Sequence, residues 1–243
     1  KAMIFAAGWA PVAPLDGQHA QGPRSRSRKA HAGTGDTAVE EAGFNEITVN
    51  IHHFGEQIID FLRAHDNFGT EIHISDERGM LLDTGGGIKK ARPFLDGQEP
   101  FLVHNADILT DIDLAGLYRH HLESDAESTL LVSERKTSRY LLFDDDYHLQ
   151  VDKQVTGEVK PAGFDYRGNE VPGTRLRRYP HHLPLPLPPD GRWAVNGKFS
   201  IIPFYLSACT KVHIQGYPLQ GFRWFDIGKP ETLAQAEEYY KQK

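Results

Sequence analysis

Short apolar strands alternate with amphipathic helices through the first half of the chain, and this alternation constrains the fold more than any other feature. Lys1–Gly8 (KAMIFAAG) is an apolar run that stops at glycine, as a central parallel strand entering a loop does. Glu46–Asn50 (EITVN) is a second such run, and Glu71–Ser75 (EIHIS) alternates as a strand. Between them, Gly55–His65 places Ile58, Ile59, Phe61 and Leu62 at helical spacing, with Glu56, Asp60 and Arg63 interspersed. Ile88, Ala91 and Phe94 share a face, which predicts a short helix over Gly86–Phe94 with Pro93 near its end. Pro100–Val103 reads as a strand ended by His104-Asn105-Ala106-Asp107, and Leu114–Leu122 as a helix. Ser128–Ser133 and Tyr140–Phe143 are strands, and Glu231–Tyr240 is a helix with Leu233 and Ala236 facing inward. Such alternation implies βαβ units, a mainly parallel sheet and a three-layer α/β sandwich. Ligands of these sheets bind beyond the carboxyl ends of the strands. Gly8, Asn50 and Asp107 each end or follow a predicted strand, so they are expected to gather at one rim.

Composition narrows the function classes. The 243 residues suffice for one large α/β domain or two small ones, and 39% hydrophobic with 25% charged residues is an ordinary globular mixture. No apolar run approaches the roughly 20 residues that cross a bilayer, and Ala2–Ala7 is too short for a signal peptide. Cys209 is the single cysteine, so an internal disulfide is excluded and a reducing, cytoplasmic setting is expected. The net charge of −6 argues against a general nucleic-acid binder. It leaves room for a phosphate-bearing small substrate, which needs only local cations or a metal ion.

Two stretches break the pattern. Trp9–Thr37 is rich in Gly, Ala, Pro, Arg and His with almost no aliphatic residues, and Val171–Val195 contains HHLPLPLPP. The latter fits neither a helix nor a central strand. Structureless loops of this length are uncommon inside a compact domain. Both become ordinary in another reading frame. Codons for Asp16–Asp36 (DGQHAQGPRSRSRKAHAGTGD) can be chosen so that reading one base later gives TDSMPKALVPVAGKPMLERV. Trp9–Val12 (WAPV) re-reads as LGTR, and Leu176–Gly191 as YAGIHIISPSLFPLMD. The alternative readings have normal apolar patterning, so both stretches are expected to be out-of-frame translations of a parent gene.

With that reading, Ala6–Gly8 followed by LGTR, Ala13–Leu15 and TDSMPKALVPV resembles the signature loop of sugar-1-phosphate nucleotidyltransferases. Residues outside the two stretches agree: Val49–Ile58 (VNIHHFGEQI), Leu81–Ala91 (LLDTGGGIKKA), Phe101–Asp113 (FLVHNADILTDID), Gly197–Phe204 (GKFSIIPF) and Trp224–Glu237 (WFDIGKPETLAQAE). The resemblance is greatest to the short bacterial type, similar to N-acetylmuramate-1-phosphate uridylyltransferase and mannose-1-phosphate guanylyltransferase; longer relatives carry an additional domain, for which no room is expected here. It implies a Rossmann-like, GT-A type mixed sheet. Residues 1–113 would form the nucleotide-binding half and 114–243 the sugar-phosphate half. It also implies attack of a sugar 1-phosphate oxygen on the α-phosphorus of an NTP, UTP or GTP, releasing pyrophosphate. A homo-oligomer is compatible with the sequence, and neither nucleic acid nor membrane is an expected partner.

Two polyanions meet in that reaction, so charge neutralisation and positioning dominate catalysis. Asp107 (HNAD) and Asp226 (WFDIG) match the family's metal motifs and are the expected catalytic Mg²⁺ ligands; the plainer reading of Asp107 is a cap after a strand. Ala6, Ala7 and Gly8 would let backbone N–H groups approach the triphosphate. Thr84, Gly85 and Gly86 resemble the nucleobase loop, against a plain turn that caps the next helix. Asn105 would shape the metal loop or touch the ribose. Glu158 and Lys160 (GEVKP) resemble a Glu-Lys-Pro motif whose lysine binds the sugar phosphate, with Val159 departing from it. The family's loop arginine and lysine fall near Val12 and Gln21–Gly22, so the printed chain lacks both and is expected to be almost inactive. Lys89 and Lys90 read as solvated, as does the His120-His121 pair. Asp111 and Asp113 read as turn and cap, and Asp144-Asp145-Asp146 as an acidic turn. His52-His53 lacks the partners of a zinc site. Two rivals stand beside the transferase: a non-catalytic nucleotide-sugar binder of the same fold, and a dinucleotide-dependent oxidoreductase. Against the latter, no G-x-G-x-x-G follows the first strand.

Overall fold

The structure is a computed structural model and describes residues 1–6, 42–97, 99–132, 141–144, 146–150, 175–177, 197–218 and 222–227, with Val39, Thr232, Gln235, Ala236, Glu238 and Tyr239. Its centre is a four-stranded parallel sheet of β1 (Ala2–Phe5), β2 (Glu46–Ile51), β3 (Glu71–Asp76) and β4 (Leu102–Asn105), ordered β3-β2-β1-β4. The first three strands fall where apolar patterning predicts them. The fourth is displaced toward the C-terminus, from Pro100–Val103 to Leu102–Asn105. Pro100 has no N–H for the ladder, and Leu102 N–H is the group that bonds Lys1 O, at 3.1 Å.

Among the described residues, the helices that flank the sheet include α1 (Gly55–Ala64), α2 (Asp83–Leu95), α3 (Leu114–Glu123) and α4 (Ile201–Ala208). Side chains of β1 alternate between two apolar clusters. Met3 joins Ile88, Ala91 and Leu95 of α2 with Ile201 and Tyr205 of α4. Ala2 and Ile4 join Ile58 and Leu62 of α1 with Leu114 and Leu117 of α3. A sheet buried on both faces needs a helical layer on each, which makes the expected three layers. Each fully buried Leu, Ile or Met contributes about 1.5–3 kcal/mol relative to exposure.

The remaining strands pair outside this sheet. β5 (Ile108–Thr110) runs antiparallel to β11 (Trp224–Asp226), and β6 (Ser128–Val132) runs parallel to β10 (Ile214–Pro218). A small antiparallel sheet joins β7 (Leu141–Phe143), β8 (Leu149–Gln150) and β9 (Arg175–Arg177) in the order β8-β7-β9. The mixture matches a mainly parallel sheet with antiparallel additions. β9 lies within Val171–Val195, so the described part of that stretch is an edge strand; its HHLPLPLPP segment, like Trp9–Thr37, lies outside the described residues. Helical positions at Thr232, Gln235, Ala236, Glu238 and Tyr239 agree with the predicted C-terminal helix. Ala236 is fully buried as expected, and Leu233 lies outside the described residues.

Among the local polar residues Asp113 and Asp144 behave as expected, whereas Lys89 and His120, expected in solvent, are half-buried, and His121 departs furthest. Asp113 caps α3, accepting from Gly116 N–H at 2.7 Å. Asp144 accepts from the N–H groups of Asp146 and His148, as an acidic turn does. Asp111 accepts from Arg223 N–H and Tyr239 O–H, tying distant C-terminal residues to the turn after β5. His121, expected in solvent, is found buried. Leu114, Leu117 and His121 share the inward face of α3, so the helix rotation that buries both leucines carries His121 in with them. Its Nδ1 lies 2.8 Å from Thr129 Oγ1. Burial pushes its pKa down to about 4. Among the described residues no helix is long and apolar enough to cross a membrane.

Candidate active site

Phe5, the last residue of β1, is in register with Asn50 on β2 and with Asn105 on β4. Ser75 on β3 stands opposite Asn50. All four strands are parallel, so these residues form a row at the carboxyl rim. The ladder runs one bond further on each side of β1: Ala6 N–H donates to Asn50 O and Ala106 N–H to Phe5 O, both at 3.0 Å. Ala6 is therefore buried strand continuation. Asp107 is the first residue past this last rung.

Asp226 arrives at the same place from the far end of the chain. Immediately after Asp107 the chain enters β5, whose Ile108 is in register with Asp226 on β11. Ile227 N–H donates to Asp107 O at 2.8 Å, closing the pair. Asp107 senses Asp226: burial raises the Asp107 pKa from the usual carboxylate value, and the negative charge of Asp226 raises it further. A positive charge between them would relieve both effects.

A cleft of about 370 Å³ opens beside Asp107. Phe5, Asn50 and Asn105 form its floor at the strand ends, Glu77 and Leu81 one wall, and Asp83, Thr84 and Lys198 another part of its lining. Glu77 is almost fully buried; its Oε1 accepts from Asn50 Nδ2 at 2.7 Å and its Oε2 from Leu82 N–H at 2.8 Å. This pair braces the end of β2 against the start of α2.

Besides Ala6, the expected site residues separate into three groups. Thr84, Asn105 and Asp107 line one cleft, with Asp226 coupled to Asp107. Gly85 and Gly86 lie in the first turn of α2, which begins at Asp83 and not at Gly86. Their N–H groups donate to Phe199 O at 3.0 and 3.1 Å. A Cβ on Gly85 would come within 2.3 Å of the Phe199 ring, and one on Gly86 within 2.6 Å of Gly197 O. These glycines thus admit another segment of the chain itself, which helical spacing along one segment does not reveal. Ala7, Gly8, Glu158 and Lys160 lie outside the described residues. Glu77, Asp83 and Lys198 line the cleft beyond the residues expected there. Glu77 had a usable signal, because it follows β3 as Asp107 follows β4.

No family model matches the chain, but curated relatives do. The chain is 39% identical over 172 residues to N-acetylmuramate alpha-1-phosphate uridylyltransferase of Neisseria meningitidis, covering 69% of this chain and 73% of that protein. It belongs to the sugar-1-phosphate nucleotidyltransferases. UTP--glucose-1-phosphate uridylyltransferase of Synechocystis is 28% identical over 220 residues, 82% of this chain but 52% of that longer relative. N-acetylmuramate alpha-1-phosphate uridylyltransferase of Caulobacter vibrioides is 29% identical over 212 residues. Among solved structures, HddC of Yersinia pseudotuberculosis with GMP-PN superposes with TM-score 0.66 at 20% identity, covering 98% of each chain. UDP-glucose pyrophosphorylase of Acinetobacter baumanii gives TM-score 0.63 at 15% identity, over 99% of this chain and 92% of that one. These likenesses establish the family's GT-A-like α/β fold for this chain.

Proposed function

We propose that the chain is built to condense a nucleoside triphosphate with a sugar 1-phosphate, giving an NDP-sugar and pyrophosphate, with Mg²⁺ held by Asp107 and Asp226. The observation that carries this reading is the meeting of those two carboxylates across the β5–β11 pair at the rim of a parallel sheet. The donor set fits Mg²⁺, which takes one or two carboxylates and keeps its remaining positions for phosphate oxygens and water. When bound, the ion supplies neutralising charge to the triphosphate and to the departing pyrophosphate.

The chain's own residues do the positioning. Asp107 sits on the turn between β4 and β5, whose backbone is fixed by the rung to Phe5 O and the bond from Ile227 N–H. Asn105, in the same row, faces the cleft where a ribose would lie. Thr84 Oγ1 accepts from Ile201 N–H at 3.0 Å, locking the cleft wall to α4. UTP is the first nucleotide to test, since the relatives reported above are uridylyltransferases; GTP is the second, because mannose-1-phosphate guanylyltransferases of rice and Dictyostelium also match. Glu158 and Lys160 are assigned to the sugar phosphate by their motif alone. A single cysteine supports a reducing, cytoplasmic setting.

The printed loop favours a second reading, nucleotide-sugar binding without turnover, because Trp9–Thr37 lacks the loop arginine and lysine of the family pattern. A pyrophosphate-release screen of four NTPs against several sugar 1-phosphates separates the two. It is run with Mg²⁺ on mass-verified printed chain and on a chain carrying the re-read residues. Release by the re-read chain with one substrate pair, and almost none by the printed chain, is expected. Silence from the re-read chain with every pair contradicts the transferase reading, and equal rates contradict the role given to the loop cations.

A further inference from the structure

The cleft is anionic, and the proposed substrates are polyanions. Glu77, Asp83 and Asp107 line it, with Asp226 beside Asp107. Among the described residues Lys198 is the only basic side chain in its lining. We propose that Lys198 is a phosphate-binding residue of this site, contacting a phosphate group of one of the two substrates. This rests on the transferase reading above.

Placement of Lys198 is specified by its neighbours on both sides. Phe199 N–H donates to Leu82 O at 3.0 Å, and Phe199 O receives the Gly85 and Gly86 N–H groups. Ile201 N–H then reaches Thr84 Oγ1. Gly197, on the other side, takes φ 79, a conformation that suits glycine. The segment Gly197–Ile201 is therefore clamped to the first turn of α2. Thr84-Gly85-Gly86 have small or absent side chains because that segment lies against them. Lys198 sits in the middle of the clamp, exposed, with its backbone held and its side chain in the cleft lining. No ion pair with another described residue engages it. A lysine ammonium on a flexible stem is suited to follow a phosphate as a point charge, and in the same cleft as Asp107 it offsets repulsion between the carboxylates and an incoming phosphate.

Calorimetric titration tests this without requiring turnover. UTP, a sugar 1-phosphate and the phosphate-free nucleoside uridine are titrated, with Mg²⁺, into the wild-type chain, Lys198→Met and Lys198→Arg. The expected result is that Lys198→Met weakens binding of UTP or of the sugar phosphate by about tenfold. Uridine binding stays unchanged, and Lys198→Arg recovers most of the loss. Whichever ligand is weakened identifies the phosphate that Lys198 contacts. Equal Kd values for wild type and Lys198→Met with both phosphate ligands overturn the assignment of Lys198 alone, as does an equal loss for uridine. Binding of neither phosphate ligand by the wild-type chain, nor by the chain carrying the re-read residues, overturns the proposed function together with it.

Discussion

Asp107 is held at an electrostatic cost in the absence of a cation. Its pKa is raised by burial first and by Asp226 second. A carboxyl group with a raised folded-state pKa contributes stability below its unfolded pKa and loses it as pH rises through the folded value. Asp107→Asn removes the charge, so at neutral pH the metal-free variant is expected to melt a few degrees above wild type. That gain should shrink to nothing in acid, where the wild-type carboxyl is protonated too. Thermal melts with EDTA across pH check this, and equal or lower melting at pH 7 would show that Asp107 carries no such burden. The two carboxylates were legible in the sequence because each stands in a short distinctive motif. Glu77 and Lys198 were not, because their membership in the cleft depends on how α2 and the Gly197–Ile201 segment pack.

At the scale of elements, the start of α2 is where local pattern and tertiary packing diverge. Apolar periodicity begins the helix at Gly86, whereas the helix begins at Asp83, where φ is 63. The difference comes from Phe199, whose carbonyl gathers the Gly85 and Gly86 N–H groups. Gly86→Ala would put a Cβ 2.6 Å from Gly197 O, a backbone atom that cannot swing aside. The variant is expected to lose about 1–3 kcal/mol, measured by denaturant unfolding, and to weaken substrate binding by displacing Lys198. Unchanged stability would show that the clamp does not hold the segment. The strands of the central sheet were legible for the opposite reason. β1, β2 and β4 are buried along nearly their whole length, so an apolar run marks each of them whatever lies beside it, while β3, half exposed at the sheet edge, is marked by alternation. His121 shows the same limit as α2, since a polar pair at a helix end looks solvated until the inward face of α3 is known.

For the whole molecule, acid sensitivity follows from buried neutral histidines. Burial pushes both His104 and His121 down to about 4 from 6.5. Both stay neutral when folded but charge when unfolded between those values, so the stability they contribute is present above pH 6.5 and lost as pH falls toward 4. Stability measured by urea unfolding should drop over that interval, and His121→Gln should flatten the drop; an identical slope in the variant would assign the loss elsewhere. The two patternless stretches bear on the molecule as a whole, because the first occupies the place of the family's phosphate loop. A peptide spanning Asp16–Asp36 should, in protein from the parent gene, have the mass of the re-read residues; the mass of the printed ones would refute the frame slip. The convergence of Asp107 with Asp226 depends on neither stretch, since Asp226 lies in β11, paired to β5, and the turn that carries Asp107 is bonded to Ile227 N–H. Its most direct test is Mn²⁺ binding followed by electron paramagnetic resonance, with UTP, on the wild-type chain, Asp107→Asn and Asp226→Asn. Wild type with nucleotide should bind Mn²⁺, and each single variant should lose most of that binding while remaining folded. Mn²⁺ binding unchanged in either variant would contradict a cation shared by the two carboxylates.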